Sequence, residues 1–264
     1  MYTVIVNGNK LAYERHGKGA PLVLLHGYPL DHSIWEPLIR LLENQFDLIL
    51  PDLRGFGETE ILGTNFTMSD YATDVADLLD RLDIEQASVV GHSMGGYVAL
   101  ELVRAYPGRV LGLGLVSSQA LADSPERKAG RYQEAEAILA HGVRDVAEGM
   151  SGKLTTKPDL QAWLKALILR QSPAGLAEAL RAMAERPDST PLLPRFNFPF
   201  VLVHGLEDAL IPIERARSVK VAVPHAHLTE IPDAGHMPMM EAPQKTAEAL
   251  KGLLKKSKPS PHLV

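Results

Sequence analysis

Val89-Val90-Gly91-His92-Ser93-Met94-Gly95-Gly96 is the stretch on which the fold turns. Ala87, Val89 and Val90 read as a buried strand, and the residues from Met94 onward read as the start of a helix. Ser93 stands at the turn between them, bracketed by Gly91 and Gly95 as G-x-S-x-G. A sharp strand-to-helix turn strains its central residue, and neighbours without bulk let strand and helix meet. Glycine meets that need because it has no Cβ. The turn lifts the serine hydroxyl above the sheet edge. It also points N–H groups at the helix start into the same space, where the helix dipole favours negative charge. A nucleophile beside an anion site suits acyl transfer.

On the N-terminal side, Tyr2–Val6 and Leu11–Arg15 alternate like strands around an Asn7-Gly8 hairpin turn. Pro21-Leu22-Val23-Leu24-Leu25-His26-Gly27 is an apolar run ended by glycine, which suits a strand buried on both faces. A helix is expected over Ile34–Leu42, a buried strand over Phe46–Leu50 and a helix over Met68–Leu82, with Thr67 or Ser69 as its cap. On the C-terminal side, a helix from Met94 to Tyr106 stops at Pro107-Gly108, and Val110–Val116 is the next strand. Strand and helix alternate, so a mostly parallel, doubly wound sheet follows.

The alternation breaks after Ser117. From about Ala120 to Arg195 the chain offers only helical stretches, near Pro125–His141, Val143–Met150, Leu160–Arg170 and Ala174–Glu185. The α/β pattern then resumes with Phe200–His204, Ile213–Val221, His227–Ile231 and Pro243–Leu254. The expected division is therefore a core domain of residues 1–119 and 196–264, interrupted by a helical unit of residues 120–195. The tail Lys255–Val264, with three lysines and two prolines, reads as frayed.

Composition narrows the function. The chain has 264 residues, 45% apolar and 22% charged, as expected of a soluble globular protein. A net charge of −5 and the lack of a basic stripe argue against a nucleic-acid partner. The absence of cysteine excludes disulfides, thiolate metal sites and thiol catalysis. No secretory signal and no bilayer-length apolar run is present, so the expectation is a cytoplasmic protein without a membrane partner.

A serine hydroxyl needs a base, and the base needs an orienting group. In such a sheet, ligands gather at the carboxyl ends of the strands. Two loops there carry suitable groups: Gly205-Leu206-Glu207-Asp208 after one strand, and Asp233-Ala234-Gly235-His236 after the next. The order Ser93, acid, His236 is one in which the nucleophile–base–acid triad recurs. Asp208, Glu207 and Asp233 compete for the acid role. His26 and His92 read as loop-holding rather than reactive, and Asp52 and Arg54 as loop braces. His225 and His227 share a strand face but have no third ligand nearby in sequence, so no metal is expected. Trp163, Leu164, Leu167, Ile168 and Leu169 are helix packing or candidates to line an acyl pocket.

The chain resembles the α/β-hydrolase fold family over nearly its whole length. The matching blocks, in order, are His26-Gly27-Tyr28-Pro29, Asp52-Leu53-Arg54-Gly55-Phe56-Gly57, Gly91-His92-Ser93-Met94-Gly95-Gly96, Gly205-Leu206-Glu207-Asp208 and Ala234-Gly235-His236. The resemblance implies an eight-stranded sheet with a helical cap inserted after the sixth strand. It favours Asp208 as the acid and adds the Tyr28 N–H to the Met94 N–H as oxyanion donors. It implies a serine carboxylesterase acting on small-molecule esters of short to medium acyl chain without a cofactor. Serine at the turn argues against the family's haloalkane dehalogenases and epoxide hydrolases, which carry aspartate there. A cofactor-free haloperoxidase or perhydrolase, a lactonase or a carbon–carbon bond hydrolase would use the same machinery. A small-molecule receptor with an intact triad would differ by turning its ligand over slowly.

Overall fold

The structure is a computed structural model that describes residues 1–61 and 63–254; the tail expected to fray lies outside them. Eight strands form one sheet: β1 (Tyr2–Val6), β2 (Asn9–His16), β3 (Ala20–Leu25), β4 (Phe46–Pro51), β5 (Ala87–His92), β6 (Val110–Val116), β7 (Phe200–Gly205) and β8 (His227–Ile231). Their order is β1-β2-β4-β3-β5-β6-β7-β8. β2 runs antiparallel to both its neighbours, and the remaining pairs are parallel. The β1–β2 hairpin turns on Asn7 (φ 46°) and Gly8 (φ 81°), the pair of positive φ values that a tight two-residue hairpin requires.

The apolar runs are strands because both faces of the sheet are covered. In β3, Leu22 and Leu24 enter one core and Val23 and Leu25 the other. In β7, Phe200 and Leu202 face one side and Val201 and Val203 the opposite side. One core is closed by α2 (Met68–Arg81), whose Tyr71, Val75, Leu78 and Leu79 are buried, and by α3 (Met94–Ala105) and α8 (Glu214–Ala222). The other is closed by α1 (Glu36–Leu42) and α10 (Pro243–Leu250) through Leu38, Leu42, Ala247 and Leu250. Thr67 caps α2, with its side chain and that of Asp70 bonding reciprocally to each other's backbone N–H. Gly114, in the Leu111–Gly114 run, is packing: a Cβ there would lie 2.7 Å from a Val90 methyl.

Between β6 and β7 lie four helices, α4 (Pro125–His141), α5 (Arg144–Leu154), α6 (Pro158–Ile168) and α7 (Pro173–Ala184). α5 continues four residues beyond the expected end at Met150, through Gly152. Ala147, Ser151 and Leu154 fall on one buried face, and that burial outweighs the helix penalty of about 1 kcal/mol per glycine. The insertion rests on the loops at the carboxyl ends of the strands. Gly175 and Gly55 meet so closely that a Cβ on Gly175 would lie 1.9 Å from Gly55 O. Gln171 accepts from Gly57 N–H at 3.0 Å and donates to Asp31 at 3.3 Å. A short helix, α9 (Pro238–Glu241), follows the His236 loop and has no counterpart in the sequence reading.

Candidate active site

β5 ends at His92, Ser93 makes the turn and α3 begins at Met94. Ser93 has φ 50° and ψ −113°, a strained conformation for a residue with a Cβ. The flanking glycines serve close approach. A Cβ at Gly91 would lie 2.1 Å from Gly95 O, and one at Gly95 2.4 Å from Leu25 O. The turn is tied to the neighbouring strand: Ser93 N–H donates to Val116 O at 3.0 Å, and Ser93 O accepts from Ser118 Oγ at 2.8 Å. Ser118, which follows β6, gave no sequence signal.

Asp208 and His236 are brought together. His236 Nδ1 donates to Asp208 Oδ2 at 2.8 Å, while Asp208 Oδ1 accepts from the N–H groups of Leu210 and Ile211 at 2.9 Å each. Burial works against the Asp208 carboxylate, but His236, the Ile211 N–H and His204 outweigh it and hold its pKa at about 2. Glu207 and Asp233 are exposed and neither bonds the imidazole. A carboxylate only accepts, so Nδ1 carries the proton and Nε2 of the neutral ring keeps a free lone pair.

His92 links this pair to the serine turn. Its Nε2 donates to His236 O at 2.9 Å, and the two rings lie 4.8 Å apart. Burial, followed by the nearby His236, pushes His92 far below the usual histidine range, so it is a neutral support. His26 is likewise buried and lowered, and its Nε2 accepts from Leu53 N–H at 2.9 Å. Among the described residues Ser93 Oγ makes no hydrogen bond, and the N–H groups of Tyr28 and Met94 have no protein acceptor. Two uncommitted donors thus belong to the loop after β3 and to the first residue of α3.

Asp31, His32 and Asp52 bring possible ligand atoms within 4.8 Å of one another. Their donors and acceptors are engaged internally. Asp52 Oδ1 takes both the His32 N–H at 2.9 Å and His32 Nδ1 at 2.7 Å, and Asp31 takes the Ser33 hydroxyl and N–H. This is a lock between two loops. Arg54 extends it by a two-bond pair with Asp74, at 2.8 and 2.6 Å. His225 bonds Phe198 O and joins no third ligand among the described residues.

A cleft of about 450 Å³ opens beside Tyr28 and the Ala209–Leu210 turn after Asp208; its far walls are Ile138 of α4 and Val146 and Met150 of α5. The candidates named on α6 do not line it. Leu164, Leu167 and Ile168 are buried in the core, and Trp163 and Leu169 face solvent. The lining residues escaped the sequence reading because Arg127, Glu134, Asp145 and Lys153 are interleaved with them, which blurs any apolar stripe.

A mostly parallel sheet with a strained serine between strand and helix, and an acid–histidine pair after two later strands, defines an α/β hydrolase. The chain belongs to the alpha/beta hydrolase fold family, which it matches over residues 20–243. Among solved structures it is similar to a thermophilic esterase from Thermogutta terrifontis, described with malate bound, at 38% identity and TM-score 0.90, covering 96% of each chain. It is 29% identical to 3-oxoadipate enol-lactonase 1 of Acinetobacter baylyi, over 94% of each chain. It is 31% identical to a putative non-heme haloperoxidase of Mycobacterium phage D29, over 94% of this chain and 92% of the relative. Its homologues thus include an esterase, an enol-lactonase and a haloperoxidase-like protein. Among the described residues no helix is long and apolar enough to cross a membrane.

Proposed function

We propose that this chain is a serine hydrolase cleaving carboxylic esters of short to medium acyl chain, with residues 120–195 as a cap over the site. The observation that carries the reading is the Asp208–His236 pair, held by His92 against the strained turn that presents Ser93. His236 Nε2 takes the Ser93 proton as Oγ attacks the ester carbonyl, a contact completed when substrate seats. The N–H groups of Tyr28 and Met94 receive the oxyanion, each such donor contributing roughly 3 kcal/mol in other serine hydrolases. Asp208 keeps the ring in the working tautomer and offsets its developing charge. The tetrahedral species collapses, His236 returns the proton to the leaving alcohol, and water repeats the cycle on the acyl-serine. The cleft walled by Ile138, Val146 and Met150 is large enough for a short hydrocarbon chain.

Ser93→Ala tests the reading. Hydrolysis of p-nitrophenyl butyrate should disappear while the melting temperature is kept, and full turnover would refute a nucleophilic Ser93. The haloperoxidase-like relative supports a second reading, in which hydrogen peroxide replaces water as acyl acceptor. Peracid formation faster than hydrolysis on the same ester would favour it.

A further inference from the structure

We infer that Glu241 is a positioning residue for His236 and that Thr155 ties this brace to the helical insertion. The inference rests on the reading of His236 as the base. His236 lies in an irregular loop between Ile231, which ends β8, and Pro238, which opens α9. Asp208 orients its ring, yet the backbone must be placed by other groups, and every amide from Gly235 to Met237 is committed. Gly235 N–H and Met237 N–H both donate to Glu241 Oε2, at 2.8 and 3.2 Å, while the N–H of His236 itself donates to Leu154 O at 3.0 Å. One carboxylate oxygen thus gathers the amides on either side of the histidine and sets the curvature of the loop.

The second carboxylate oxygen reaches the insertion. Thr155 Oγ1 donates to Glu241 Oε1 at 2.6 Å and accepts from Lys157 N–H at 3.2 Å, and Lys157 Nζ donates to Glu241 O at 3.1 Å. Thr155 is buried, so its hydroxyl has no ready exchange with water. Leu154 ends α5, the helix whose Val146 and Met150 wall the cleft. The last residue of the helix that shapes the cleft therefore anchors the His236 amide directly, and the residue that caps that helix, Thr155, anchors Glu241. Bonds to a carboxylate are about twice as strong as neutral ones, which suits a group that must hold two amides at once.

The test compares Glu241→Leu, Glu241→Gln and Thr155→Val, with Ser93→Ala alongside, by kcat and KM on p-nitrophenyl butyrate well below each melting temperature. Glu241→Leu should lower kcat roughly 10- to 100-fold, the range expected when a reacting group is misplaced by about 1 Å, with KM little changed. Glu241→Gln should recover most of that loss, because its carbonyl can face the two amides and its NH₂ the Thr155 hydroxyl. Thr155→Val should cost about threefold in kcat, the worth of a typical hydrogen bond. A Glu241→Leu enzyme that melts earlier but keeps its kcat overturns the inference, as does a Gln variant no faster than Leu. If the Leu variant does not fold, Thr155→Val decides, and an unchanged kcat there overturns it. Activity in Ser93→Ala would instead remove the hydrolase reading itself, whatever the Glu241 series shows.

Discussion

His92 Nε2 donates to the carbonyl oxygen of His236 across 2.9 Å, so the residue before the turn serine holds the backbone of a histidine 144 positions away. The other ring nitrogen, Nδ1, has no hydrogen-bond partner among the described residues and faces Gly27, where a Cβ would lie 2.6 Å from it. A neutral ring suits that place: it needs one acceptor for Nε2–H and leaves only a lone pair against Gly27, whereas the cation would bury an unpaired N–H. His92→Phe keeps an aromatic ring and removes the donor. It should lower unfolding stability by about 1 kcal/mol or more, read from urea midpoints, and reduce kcat more than it changes KM.

The turn glycines give a sharper packing prediction. A Cβ at Gly95 would meet Leu25 O at 2.4 Å and His26 O at 2.6 Å, both of them backbone atoms that cannot rotate away. Gly95→Ala should cost roughly 1 to 3 kcal/mol by forcing β3 and α3 apart, with activity lost alongside. Gly130→Ala is the contrast, since that helical position opens onto empty space. It should raise stability by about 0.5 to 1 kcal/mol. Chemical denaturation of the two variants checks both signs.

Acid should weaken the fold in a way that Asp208 partly controls. Its pKa is held at about 2 in the folded protein, below that of an unfolded aspartate, so its contribution is complete above about pH 4 and fades as pH falls toward 2. The shift corresponds to about 2 kcal/mol. Burial works against both Asp52 and Asp123, yet His32 stabilises the first and Arg186 and Arg131 the second, so both are lowered in the same direction. Asp208→Asn should therefore show a flatter loss of melting temperature between pH 5 and 2 than the parent. An equal slope in the two proteins would contradict the assignment of that charge.

The architecture was legible because burial on both faces writes strands as unbroken apolar runs. Leu22 to Leu25 and Phe200 to Val203 are recognisable without knowing which core each residue enters. The turn was legible because Gly91 and Gly95 are needed for space, which leaves a fixed spacing in the chain. Asp208 and His236 could be placed at strand ends, but their pairing needed the fold, since Glu207 and Asp233 sit in the same two loops. What stayed hidden depends on distant contacts. Ser118 braces Ser93 from the loop after β6, Glu241 gathers amides of a loop before its own helix, and the strand order that puts β4 outside β3 leaves no local mark. The expected end of α5 at Met150 falls four residues short because Gly152 signals a break where tertiary burial continues the helix.

The walls of the cleft make chain length testable. Ile138 on α4 and Val146 and Met150 on α5 all line it. Ile138→Trp fills that space. It should depress kcat/KM for p-nitrophenyl octanoate by tenfold or more, equivalent to about 1.4 kcal/mol, and leave the acetate ester nearly unaffected. Equal losses on both esters would place the substrate chain elsewhere.

The most direct measurement is to trap the covalent intermediate. The enzyme is mixed with p-nitrophenyl acetate, quenched in acid during steady turnover, digested and mapped by mass spectrometry. The expected result is an acetyl group on the peptide containing Ser93, on that serine and in no other place at comparable yield, and its absence when Ser93 is alanine. Rapid hydrolysis with Ser93 unmodified at every quench time would contradict the acyl-serine route.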